Sequence, residues 1–107
     1  MKTEYQIYMD YKKTLQQADH LSRAGKDLIR AADQTAAGIF SGTGSAWKGT
    51  SAGIFSSKGK SLRQKIRRSG NDLCGAADVI RRTASNLYRA EMQALAIART
   101  RNRETMD

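Results

Sequence analysis

Proline is absent from this chain of 107 residues, and cysteine occurs once, at Cys74. A proline inside a helix removes a hydrogen bond and collides with the preceding turn, so its absence leaves long helices unobstructed. A single thiol excludes an internal disulfide and any multi-cysteine metal framework. No stretch approaches the roughly 18 consecutive apolar residues that a membrane span needs. The opening Met1-Lys2-Thr3-Glu4-Tyr5, followed by Asp10, Lys12 and Lys13, lacks the apolar run of a cleavable leader. Acidic residues are scarce too. The 10 Asp+Glu stand against 19 Lys+Arg, a formal charge of +9, and such an excess calls for an acidic partner: a complementary protein, a nucleic acid or an anionic surface.

What the chain does have is heptad periodicity. Tyr8, Leu15, Ser22, Ile29 and Ala36 recur every seven residues, and Tyr11, Ala18, Gly25, Ala32 and Ile39 follow three positions later. That pattern predicts a helix over about 4–40 with an apolar seam, while Lys12, Lys13, Gln16, Gln17, Arg23 and Arg30 face outward. The second half repeats the device. Ile66, Leu73, Ile80, Leu87 and Ala94 form one row, Ser69, Ala76, Thr83, Ala90 and Ile97 its companion, and Leu62 extends the stripe backwards. The spacing predicts a second helix over about 50–99, with a frayed tail at 100–107 where the pattern is lost.

Between the halves, Ser41-Gly42-Thr43-Gly44-Ser45-Ala46 combines glycines, capping serines and an interrupted stripe, which marks a turn over about 41–49. A short connection makes its two helices antiparallel neighbours. The expected fold is therefore all-α: a single domain over 1–107, formed as an antiparallel helical hairpin of two long helices. Two helices leave much of their seams uncovered, and a dimer completing a four-helix bundle is the physical remedy. Its seam would draw on Tyr8, Tyr11, Leu15, Ile29, Leu62, Ile66, Leu73, Ile80 and Leu87.

Within the turn stands Trp47-Lys48-Gly49, holding the only tryptophan of the chain. A lone Trp beside a turn can be an apolar plug at the open end of a hairpin. It can equally be a rigid recognition anchor, with Gly49 admitting a close approach of a partner. Trp-X-Gly at mid-chain of a proline-free helical hairpin of this length resembles the WXG family of small type VII secretion substrates, the early-secreted-antigen type. The resemblance covers essentially the whole chain. It implies a Trp-X-Gly turn, dimerisation into a four-helix bundle, and export without a cleavable leader by a membrane secretion ATPase, with a cytoplasmic stage before export. It also implies a C-terminal motif of Tyr, three residues and an acid near the turn of the paired subunit. Tyr88 and Glu91 are the candidates here, but only two residues separate them, and Met92 stands where the acid belongs. Either a variant signal operates, or the partner supplies the signal and this chain contributes Trp47 and Gly49.

Charge bears on the partner. Self-pairing doubles the +9 of one chain, whereas a heterodimer with a similar, acidic helical hairpin relieves it. Such pairing resembles the accessory proteins of LXG-type toxins. A rival reading comes from Lys58, Lys60, Arg63, Lys65, Arg67 and Arg68, six cations in eleven residues without an acid. They suit a basic helical nucleic-acid-binding module, although no aromatic platform or zinc spacing accompanies them. His20 and Cys74 are each solitary, with no third group to orient them, so neither catalysis, nor a metal, nor a cofactor is expected.

Overall fold

In a computed structural model the backbone of residues 1–43 and 50–106 and the side chains of residues 1–34 and 53–105 are described. Two helices account for nearly all of it: α1, Glu4–Thr43, and α2, Thr50–Met106. No strand occurs among the described residues, so the chain is all-α, built from two long helices.

The start of α1 follows from local chemistry. Gln6 N donates to Thr3 Oγ1 at 3.2 Å, while Thr3 N donates to Gln6 Oε1 at 2.9 Å. This reciprocal pair is a capping box, which satisfies two amides that the helix itself leaves without acceptors. Glu4 in the first turn and Arg103 in the last turn of α2 place charges that complement the helix dipoles. At the other ends the helices outrun the sequence pattern. Helix α1 continues through Ser41, Gly42 and Thr43, which were expected in the turn, and α2 continues to Met106 where fraying was expected. Both extensions lack an apolar seam, and neither contains the proline that would stop a helix.

The helices contribute to two units, Met1–His20 with Ala76–Asp107, and Leu21–Gly75. In the first, the α1 and α2 segments run antiparallel, with Glu4 level with Arg99, Tyr11 with Tyr88 and Asp19 with Arg81. Its buried apolar side chains are Ile7, Ala18, Ala77 and Ala84. The Tyr11 and Tyr88 rings stack, with centroids 4.7 Å apart and planes tilted by 31°. Three of the four buried residues are alanines, so this interface gains from close approach rather than from large side chains.

In the second unit the segments are again antiparallel, and closer still. A methyl placed on Gly25 would lie 2.6 Å from the Gly70 carbonyl oxygen, and one on Gly70 would lie 2.7 Å from the Gly25 carbonyl oxygen. The two glycines thus let backbone meet backbone, which no other residue type permits at that distance. Ala32 and Ser22 are buried beside them, and Cys74 Sγ donates to the Ser22 carbonyl at 3.6 Å.

The seam of α2 differs from the row read off the sequence. Ile66, Leu73 and Ile80 are half-buried against α1, as their spacing suggests, but Ser69, Ala76, Thr83, Ala90 and Ile97 are exposed. The companion row is one residue further on: Gly70, Ala77 and Ala84 are buried. Leu62 and Leu87 are 59% and 55% exposed, so neither belongs to the intrachain contact. In α1, the Tyr11–Ala18–Gly25–Ala32 row is the centre of the interface, Leu15 and Ile29 are half-buried beside it, and Tyr8 is 47% exposed.

Candidate interaction surfaces

The first unit has two unlike flanks. Helical geometry puts the Asp19 row of α1 and the Arg81 row of α2 on one side of the buried alanines, and the Asp10 and Thr83 rows on the other. The first flank is closed by charge. Arg81 donates from Nη2 to Asp19 at 2.9 Å and from Nη1 to Asp78 at 2.8 Å, and Arg99 reaches Glu4 at 3.3 Å. The hydrogen bond to Asp19, with that to Asp78 in support, raises the Arg81 pKa above its ordinary value, so the guanidinium keeps its charge.

The second flank is apolar and open. Ile7, Thr14, Val79, Ile80, Thr83 and Leu87 line a groove of about 240 Å³. Lys2 stands at its edge, with Nζ 2.9 Å from Asp10 and 3.3 Å from Glu91. The hydrogen bond to Asp10 first, and that to Glu91 second, raise the Lys2 pKa. Beyond the groove, the arc of α2 formed by residues 76, 79, 80, 83, 86, 87, 90, 93, 94 and 97 contains no charged residue. All of these are exposed except Ile80, which is half-buried, and Val79, Leu87 and Ile97 are each about half exposed. In a chain with 27% charged residues, a neutral helical face of this length is a candidate docking face.

Comparison with protein families, characterised proteins and solved structures found no match to this chain. The surfaces themselves therefore carry the functional argument.

The residues named from the sequence are distributed as follows. Trp47 and Gly49 lie outside the described residues. Tyr88 is half-buried against Tyr11 of α1, and Glu91 is half-buried and held by Lys2, just before α1, so both are engaged within their own chain. Tyr11, Leu15 and Ile29 on α1, and Ile66, Leu73 and Ile80 on α2, line intrachain contacts, whereas Tyr8, Leu62 and Leu87 remain exposed. Val79 and Ile97 went unnamed as site residues, although the charge-free arc from 76 to 97 was readable in the sequence as their signal.

The remaining chemistry is spare. His20 is exposed, and Cys74 is half-buried with its thiol on a backbone carbonyl, the behaviour of a small hydrophobe. Among the described residues there is no group of three or more His, Cys, Asp or Glu side chains that could hold a metal, and no helix long and apolar enough to cross a membrane. No buried polar side-chain atom among them lacks a hydrogen-bond partner.

Proposed function

We propose that this protein acts by pairing with another helical chain, as a WXG-like secretion substrate or a targeting partner in type VII secretion, and that it catalyses no reaction. The charge-free, exposed arc of α2 between Ala76 and Ile97 carries the pairing part of this reading. A second helix laid against Val79, Leu87 and Ile97 removes apolar surface from water at roughly 25 cal/mol per Å² and strands no charge in doing so. The thin alanine core within the first unit supports the same conclusion, because two helices packed on alanine methyls gain little from burial alone. The secretion part rests on the Trp47-Lys48-Gly49 tripeptide at mid-chain between two long helices. The excess of 19 Lys+Arg over 10 Asp+Glu favours an acidic helical hairpin as the partner over a second copy.

Light scattering on the purified chain, alone and co-expressed with helical proteins encoded beside it, tests the pairing. A dimer or hetero-complex at micromolar concentration is expected. Leu87→Asp should dissociate it, because a carboxylate buried without a partner costs several kcal/mol. Gln16→Glu, which adds the same charge at an exposed position on the outward side of α1, should leave it intact. A monomer under every condition, or equal effects of the two substitutions, refutes the reading.

A further inference from the structure

The charge of this protein is concentrated in one unit. Ten of the 19 Lys+Arg but only three of the 10 Asp+Glu belong to residues 21–75, which gives that unit +7 of the total +9. The stretch from Lys58 to Arg68 supplies only part of it, because α1 adds Lys26 and Arg30 on the same flank.

Helical periodicity puts Lys26 and Asp33 on one row of α1, with Arg30 on the adjacent row. It puts Lys60 and Arg67 on one row of α2, with Arg63 on the adjacent row. The ion pairs prove that these rows share a flank. Arg63 Nε donates to Asp33 Oδ1 at 3.0 Å, and Arg67 Nη1 donates to Asp33 Oδ2. One carboxylate thus sits between two guanidiniums, each taking one of its oxygens. The participants stay open to solvent, with side-chain exposures of 44% for Arg63, 42% for Arg67 and 37% for Asp33. Lys26 and Lys60 have no ion-pair partner among the described residues, and Arg30 has only a 3.8 Å contact with Asp27.

We propose that this flank is a docking surface for an acidic helical segment of a partner protein, and that Asp33 occupies part of it in the free chain. Three observations select that occupant. The surface already holds a carboxylate between two guanidiniums, one on each oxygen, through charge-assisted hydrogen bonds. Lys60, Arg63 and Arg67 follow the i, i+3, i+7 spacing of one helix face, which glutamates on a neighbouring helix match in rise. Asp33 in the midst of these rows repels a continuous run of phosphates. The inference deepens the pairing reading by naming the chemistry of one partner surface. It rests on the Leu21–Gly75 unit, whereas Leu87→Asp probes the other, so the two fail separately.

The test uses the full chain and, as probe, a labelled alanine-based helical peptide with glutamates along one face, followed by fluorescence anisotropy. Lys26→Glu combined with Lys60→Glu should weaken binding by about 10-fold or more. Lys13→Glu combined with Arg82→Glu makes the same change in net charge within the other unit and should shift it by less than about 2-fold. Asp33→Asn frees both arginines and should tighten binding by about 3-fold, whereas Asp72→Asn, an equal change of charge on another row, should not. Circular dichroism confirms that each variant remains helical. Equal losses from the two double reversals, or weaker binding by Asp33→Asn, overturn the proposal. So does tighter binding of a duplex of about 20 base pairs than of the peptide over about 50–200 mM salt, which assigns the flank to nucleic acid.

Discussion

Replacing Gly25 by alanine sets two magnitudes against each other. Alanine in place of glycine in a helix interior stabilises by about 1 kcal/mol, because the unfolded chain has less freedom to lose. At Gly25 the added methyl would lie 2.6 Å from the Gly70 carbonyl oxygen, 2.9 Å from Cys74 Sγ and 3.1 Å from Leu73 Cβ. The sulfur can turn aside, but the carbonyl belongs to the backbone of α2. Relief therefore requires the two helices to separate by on the order of 1 Å, which opens the contacts around Ala32 and Ser22, and overpacking of this kind costs about 1–3 kcal/mol. Here the cost comes at the upper end, since backbone rather than side chain must move. The net effect is a destabilisation of roughly 1–2 kcal/mol, or a fall in Tm of about 4–16 °C for a domain of this size. Gly70→Ala should behave alike, because its methyl would meet Ile29 Cγ1 at 2.5 Å and the Gly25 carbonyl oxygen at 2.7 Å. Gly53 and Gly75 have nothing within 4 Å of such a methyl, so Gly53→Ala and Gly75→Ala should instead raise Tm by a few degrees. Thermal melting by circular dichroism reads all four. If Gly25→Ala and Gly75→Ala shift Tm in the same direction, the close approach in the second unit is refuted.

Thr3→Ala removes the acceptor for Gln6 N and should cost about 1 kcal/mol of stability, with lost protection of the first-turn amides in hydrogen exchange. The hydrogen bonds from Arg67 first and Arg63 second lower the Asp33 pKa below 3.8. A depressed carboxylate contributes stability above its unfolded value, and this is lost as pH falls through the folded one. The deficit of Asp33→Asn relative to the wild type should therefore be present at neutral pH and vanish under acid below 3.8, and carboxyl chemical shifts against pH locate the titration directly. Trp47→Ala should abolish export, assayed as protein in the culture medium against protein in cells, while Tm changes by no more than a few degrees. Loss of export together with collapse of the melt would instead make Trp47 a core plug, whose removal costs ~3–5 kcal/mol.

The all-α class and the two helices were legible in the sequence because helix formation answers to local features. No proline interrupts either half, the heptads run unbroken through each, and Thr3-x-x-Gln6 is a readable start that supports the observed onset of α1 at Glu4. The tails of both helices were less legible, because α1 beyond Phe40 and α2 beyond Arg99 have no apolar stripe and propensity alone extends them. For the site, the exposure of Leu87 and Ile97 needed the structure, whereas the absence of charge from their arc of α2 did not.

Tertiary structure alone decided which side of α2 meets α1. Its apolar and small residues cover too wide an arc for one partner helix, so the rows of Ser69 and of Gly70 fit the periodicity equally well. The choice fell to the row that allows the closest approach. Gly70 admits the backbone of Gly25, and Ala77 and Ala84 are buried along the same face, whereas Ser69 and Thr83 would hold the helices apart. The same docking set the fates of residues whose roles no local pattern specifies. Tyr88 found Tyr11 across 77 positions of chain, Glu91 found Lys2 across 89, and Asp33 found Arg63 and Arg67 across 30 and 34. Spacing along a helix says which residues share a face, but which faces meet is settled by the fit of two surfaces, and only the folded chain brings those together.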